Sequence, residues 1–142
     1  MYEWNRVRTS SPTERAAVTG KLREIVETRQ EILFAYLHGS FAEALPFHDV
    51  DVAVFLDEQQ ATGKDAFEYE NSLSVALTRA LQLEVDCRVL NNAPLGFQFN
   101  VTKGQVLISR DEKRRLDFVE RTWIMYWDFR PISEMMLREA LK

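Results

Sequence analysis

The segment that most constrains the fold runs from Asp49 to Leu56, with the sequence Asp-Val-Asp-Val-Ala-Val-Phe-Leu. Val50, Val52 and Val54 point one way, and Asp49, Asp51, Ala53 and Phe55 point the other, the period-two pattern of a β-strand. The second set is acidic at its start and apolar further on. The two acids therefore stand at the mouth of a strand whose body enters a core. A strand of this kind needs neighbouring strands and a covering layer. The composition can supply them: 46% of the 142 residues are hydrophobic and 28% are charged, a globular balance that excludes disorder, collagen and low-complexity scaffolds.

The rest of the chain alternates helix and strand signals. Ser11-Pro12-Thr13-Glu14 opens a helix, with Ser11 as N-cap, Pro12 in the first turn and Glu14 as the reciprocal capping-box residue. Val18, Leu22 and Ile25 carry that helix to about Arg29. Ile32 to Leu37 is a short strand, broken by Gly39-Ser40, after which a turn or short helix fills Ser40 to Leu45. Gln59 to Lys64 is a polar loop. Asp65 to Leu81 is a helix with Ala66, Tyr69, Leu73, Ala76, Leu77 and Ala80 on one face. Leu83 to Leu90 is a third strand. Pro94 opens a short helix that ends before Gly104, and Gln105 to Ser109 is a fourth strand. Ser109 and Glu112 form a second capping-box pattern before a long helix to about Phe129, and Pro131 restarts a final helix. The order predicts one domain over residues 1–142, an α/β (α+β) mixed sheet with flanking helices.

The chemistry concentrates in Tyr36 to Val54. Asp49 and Asp51 lie two apart on a strand, so both side chains leave the same face, with Cα atoms roughly 6–7 Å apart. Such a pair can converge on one divalent ion or flank a metal pair. Gly39 permits close approach of backbone to a ligand, and a turn or helix start there directs N–H groups at an anion, with the Ser40 hydroxyl as a further donor. A phosphate site beside carboxylate-held metal is what phosphoryl or nucleotidyl transfer requires. A third acid, Asp86, lies in Leu83-Glu84-Val85-Asp86-Cys87-Arg88; on a neighbouring strand it completes a three-carboxylate set that could hold metal and accept a proton. Glu84 and Arg88 share its face, and alternation alone does not choose between Glu84 and Asp86.

Gly39-Ser40, Asp49-Val50-Asp51 and Asp86 together resemble the DNA polymerase β-like nucleotidyltransferase superfamily. Size and layout resemble its minimal nucleotidyltransferases, the MntA-type antitoxins of type VII (HEPN/MNT) toxin–antitoxin systems. The likeness covers roughly Ile32 to Leu141 and extends to Leu90-Asn91-Asn92-Ala93-Pro94 and Asp117-Phe118-Val119-Glu120-Arg121-Thr122. The resemblance implies transfer of AMP from ATP to a tyrosine hydroxyl of a cognate HEPN toxin, with release of pyrophosphate. It implies that Asp49, Asp51 and Asp86 bind two Mg2+ ions, that Asp86 also helps deprotonate the tyrosine, and that Gly39 and Ser40 hold the ATP phosphates. It further implies a hetero-oligomer with the toxin. Two features depart from the family pattern: the loop Phe41 to His48 is shorter than in many members, and Glu43 stands where an arginine is common. They motivate an alternative, an antitoxin that neutralises by binding without catalysis. A small-molecule nucleotidyltransferase ranks last, since the chain shows no second domain to hold such a substrate.

Other features read as structural. His38 and His48 are assigned to packing and hydrogen bonding, because an all-carboxylate set suits a hard, oxygen-preferring cation better than zinc. Cys87 alternates away from Asp86 into the core. Tyr36, Tyr69 and Tyr126 pack. The stretch Trp123 to Phe129 is apolar on nearly every side; Leu116, Val119, Trp123 and Tyr126 are expected in the core, and the remainder, with Met135 and Met136, either is covered by the final helix or forms a docking surface over about 111–142. A net charge of −4 argues against a nucleic-acid-wrapping surface. No apolar run reaches membrane-spanning length and Met1 to Ser11 has no secretory core, so the expected compartment is the cytoplasm.

Overall fold

The computed structural model describes residues 6–60 and 65–140, with 130–134 described as backbone. The expected loop over 59–64 is therefore seen only to Gln60, and the first five and last two residues lie outside the description. In chain order the elements are α1 (Pro12–Glu27), β1 (Ile32–His38), α2 (Gly39–Ala42), β2 (Val50–Leu56), α3 (Ala66–Leu81), β3 (Val85–Val89), α4 (Leu95–Thr102), β4 (Gln105–Ser109) and α5 (Glu112–Ala140).

The strands form one mixed sheet in the order β3-β2-β1-β4; β1 runs antiparallel to both β2 and β4, while β2 and β3 are parallel. The parallel pair requires a crossover, and α3 is that crossover. Alternation then sorts the side chains. Val50, Val52 and Val54 of β2 join Val85, Cys87 and Val89 of β3 against Leu22 and Val26 of α1 and Leu73 and Leu77 of α3. On the opposite face Phe34, Tyr36, Ala53, Phe55 and Leu90 pack with Val101 of α4 and Phe118 of α5. Both faces of the body of β2 are therefore buried, as its pattern requires.

Local chemistry fixes the ends. Ser11 accepts a hydrogen bond from the Glu14 amide at 3.1 Å, and Glu14 accepts one from the Ser11 amide at 3.3 Å, closing the expected capping box. Arg110 clamps β1 and β4 to the end of α1: its Nε donates to the Ile32 carbonyl at 2.8 Å and its Nη2 donates to the carbonyls of Glu27 and Arg29.

Four expectations change in the helices. First, α5 is capped by Asp111, whose carboxylate accepts from the Arg114 amide at 3.0 Å; the Ser109 hydroxyl instead donates to the Glu112 side chain. Aspartate is an N-cap as good as serine, and it lies next to the first turn. Second, α5 runs unbroken through position 131 to Ala140. An interior proline removes one backbone bond, but the turns on both sides keep theirs. Among the described residues no separate final helix folds back. Third, Leu116 is 53% exposed, because the face of α5 turned to the body carries Arg115, Phe118, Thr122 and Trp123 at three- and four-residue spacing, which puts Leu116 off it. Fourth, Ala66 at the start of α3 is exposed; of the expected face Tyr69, Leu73 and Leu77 are buried and Ala76 and Ala80 half-buried.

Candidate active site

Asp49, Asp51 and Asp86 meet at one end of the sheet. Asp51 of β2 is directly opposite Asp86 of the parallel strand β3, so the two side chains rise together from the same face. Asp49 precedes β2 by one residue and shares the face of Asp51 by alternation. One carboxylate oxygen from each of the three lies within 4.8 Å of the others, and all three residues are partly buried. Glu84 is not in the group, which resolves the choice that alternation left open.

The end of β1 brings Gly39 to the same place, since His38 is the register partner of Asp51. Gly39 begins the short helix α2 with φ +80°, a conformation that costs an L-residue about 1–2 kcal/mol. A Cβ at this position would sit 2.2 Å from Asp51 Oδ2. Glycine is needed here twice, for the turn and for the room the carboxylate occupies. Ser40 follows, exposed. Gly104, before β4, is a further constraint that the sequence signalled only as a helix stop: a Cβ there would lie 2.5 Å from the Leu37 carbonyl oxygen, so glycine lets β4 close against the end of β1.

The electrostatics are dominated by the three carboxylates. Burial, then the charges of Asp49 and Asp86, push the Asp51 carboxyl up to about 7, and Arg88 opposes the shift. Arg88 Nε lies 3.4 Å from Asp86 Oδ2, with both side chains substantially exposed, so the pair is weak. Three clustered carboxylates against one half-solvated guanidinium leave excess negative charge that a hard cation would neutralise, and the donor set is all oxygen. The residues present thus fit a divalent metal.

His38 packs edge-on against Phe97 at 5.6 Å between centroids, as a packing role requires. Its Nε2 has no hydrogen-bond partner among the described residues, and burial holds its pKa below the usual histidine value. His48 is exposed and outside the carboxylate group. Cys87 is buried on the opposite face, and burial pushes its thiol up to about 12. Tyr36 and Tyr69 are buried, with hydroxyls bonded to Arg115 and Glu31, and Tyr126 stacks on Phe99 at 3.8 Å.

Two cavities lie beside residues that neighbour the carboxylates. A cavity of about 500 Å3 opens beside Gly39, lined by His38, Glu43, Asn100, Lys103 and Gly104 among others. On the other side Arg88, Pro94 and Phe97 line a cavity of about 320 Å3.

The polymerase beta nucleotidyltransferase family matches residues 20–113, a span that contains Gly39, Ser40 and all three aspartates. The chain belongs to this family. The fold of this nucleotidyltransferase is shared with solved toxin–antitoxin proteins. One similar chain comes from a complex of a tri-AMPylated Shewanella oneidensis HEPN toxin with MNT antitoxin; it is 20% identical, with a TM-score of 0.68 over 90% of this chain and 99% of that one. Another comes from a toxin–antitoxin structure with AMP-PNP, 20% identical, with a TM-score of 0.71 over 87% and 98%. A third, from an MntA–HepT toxin–antitoxin structure, is 19% identical, with a TM-score of 0.67 over 89% and 99%. No curated relative matches the nucleotidyltransferase by sequence. Among its described residues no helix is long and apolar enough to cross a membrane.

Proposed function

We propose that this nucleotidyltransferase is a minimal, single-domain antitoxin of the MntA type that transfers AMP from ATP to a tyrosine of a HEPN-family toxin in the cytoplasm. The observation that carries the reading is the convergence of Asp49, Asp51 and Asp86 beside Gly39 in a chain of this family. The likeness of the whole fold to chains from AMPylated and AMP-PNP-containing toxin–antitoxin structures supports it.

In this reading Asp49, Asp51 and Asp86 hold two Mg2+ ions. A divalent metal held there would supply neutralisation of the phosphate charge. Gly39 and Ser40 hold the ATP phosphates at the start of α2, where the Ser40 hydroxyl is exposed. The toxin tyrosine approaches from the side of Asp86. Its hydroxyl oxygen bonds to the α-phosphorus, the bond from that phosphorus to the pyrophosphate oxygen breaks, and Asp86 takes the hydroxyl proton. The products are AMP-tyrosine and pyrophosphate. The exposed apolar residues of α5, Ile124 and Trp127 on one side and Phe129 and Met136 on another, supply the toxin-docking surface.

A second reading is favoured by one observation. Glu43 is exposed and lines the cavity beside Gly39, where a carboxylate would repel a triphosphate. It fits an antitoxin that neutralises by occlusion alone. The experiment that separates the two is growth rescue of toxin-expressing cells by wild-type chain and by Asp49→Asn/Asp51→Asn. Loss of rescue by a double variant that still binds the toxin supports transfer. Full rescue by that variant contradicts it and leaves occlusion.

A further inference from the structure

Edge strand β3 carries Asp86, and only five residues long, it pairs on one side alone, with β2. Its outward-facing backbone amides would ordinarily be free to bind water or another strand. Here each is taken by a side chain of α3. The Val85 amide donates to Thr78 Oγ1 at 3.0 Å, the Cys87 amide to Ser74 Oγ at 2.9 Å, and the Val89 amide to Glu70 Oε2 at 2.8 Å.

The spacing explains why the match works. Thr78, Ser74 and Glu70 are four residues apart on α3, a rise of about 6.0 Å per step. Val85, Cys87 and Val89 are two apart on β3, about 6.6 Å per step. The mismatch accumulates to about 1.2 Å over two steps, and the third acceptor is the long, flexible glutamate. α3 lies antiparallel to β3, so the short side chains bond near the beginning of the strand, on either side of Asp86. The amides flanking Asp86 in sequence are thus fixed by Thr78 and Ser74, and those of Asp86 and Arg88 face β2.

We infer that Thr78, Ser74 and Glu70 are positioning residues for Asp86: they hold the edge strand in register so that its carboxylate stays opposite Asp51, within reach of a shared divalent ion. This rests on the metal reading of the three aspartates. Without the ladder β3 would be held by one neighbour, and a shift of its plane would carry the Asp86 carboxylate out of the group while leaving Asp49 and Asp51 in place. Thr78 and Ser74 act on Asp86 through the strand, whereas Glu70 also lines the cavity beside Arg88. The same bonds close this edge of the sheet to strand addition.

The test is Mn2+ titration of the full chain by calorimetry, with melting temperature measured without metal. Wild type is compared with Ser74→Ala, Ser74→Thr, Thr78→Val, Glu70→Gln and Asp86→Asn. Ser74→Ala and Thr78→Val should each weaken Mn2+ binding about tenfold, as outer-shell substitutions do, moving toward the Asp86→Asn value. Ser74→Thr and Glu70→Gln keep an acceptor for the same amide and should bind as wild type. Hydrogen exchange at the Cys87 amide should rise in Ser74→Ala, a readout that needs only the folded majority. If Ser74→Ala melts lower yet binds Mn2+ as wild type does, the ladder is only structural and the inference falls while the metal site stands. If wild type binds no Mn2+, the metal reading itself falls, and the inference with it.

Discussion

Replacing Gly39 with alanine separates folding from function at the site. The backbone there has φ +80°, and placing an L-residue in that region costs about 1–2 kcal/mol. For a chain of this length that lowers the melting temperature by roughly 3–6 °C. The new methyl would stand 2.2 Å from Asp51 Oδ2 and 3.1 Å from its Cγ, well inside contact distance. Both are side-chain atoms, so the protein relieves the clash by swinging Asp51 away rather than by unfolding. The carboxylate moves by more than 1 Å, and misplacement on that scale costs about a hundredfold in rate. The expected outcome is a folded protein with a slightly lower melting temperature, weaker Mn2+ binding by about tenfold or more, and AMP transfer reduced about a hundredfold. Because the methyl acts through Asp51, adding Gly39→Ala to an Asp51→Ala background should cost no further metal affinity. Calorimetric titration, thermal unfolding and AMP transfer measured on the four proteins complete the cycle. A Gly39→Ala protein that binds Mn2+ and transfers AMP as wild type does would refute the reasoning.

Two further outcomes follow from the same structure. Asp51 is raised from 3.8 to about 7 in the folded state, chiefly by burial, then by Asp49 and Asp86, so the folded chain holds more protons than the unfolded chain between those values. Stability of the metal-free protein therefore falls as pH rises from about 4 to 7, by about 1–2 kcal/mol once the partial exposure of the carboxylate is allowed for; urea unfolding should show this slope, and Asp51→Asn should flatten it. On α5, Ile124 and Trp127 are 54% and 49% exposed, and Ile124→Glu/Trp127→Glu should weaken HEPN-toxin binding at least about tenfold in a surface-binding assay while leaving AMP-PNP binding unchanged; unaltered toxin affinity would remove α5 from the interface.

The sheet and its carboxylates were legible because they rest on short-range rules. Strict alternation in Val50–Leu56 fixes which residues share a face, and Gly39-Ser40 marks the end of β1. The capping box at Ser11 and Glu14 is equally local. What the sequence could not provide depends on distance across the fold. Whether Asp86 or Glu84 joins Asp51 is a matter of register between β2 and β3, and no local pattern encodes it. The need for glycine at position 39 comes from Asp51, twelve residues away in sequence. The bonds from Thr78, Ser74 and Glu70 to β3 are invisible until α3 is laid beside the strand, although their four-residue spacing was there to see. At the C-terminal end two local rules misled. Proline is a strong helix breaker in isolation, yet α5 passes through position 131. Leu116 has an apolar side chain, yet one step of helical rotation takes it off the buried face.

The central claim is chemical transfer at the three aspartates, and intact mass tests it most directly. The full chain is incubated with ATP, Mg2+ and the HEPN toxin, and the toxin is weighed. The account predicts a gain of one or more AMP units on a toxin tyrosine, absent when Asp49→Asn/Asp51→Asn replaces wild type. A stable complex in which the toxin mass does not change would contradict it.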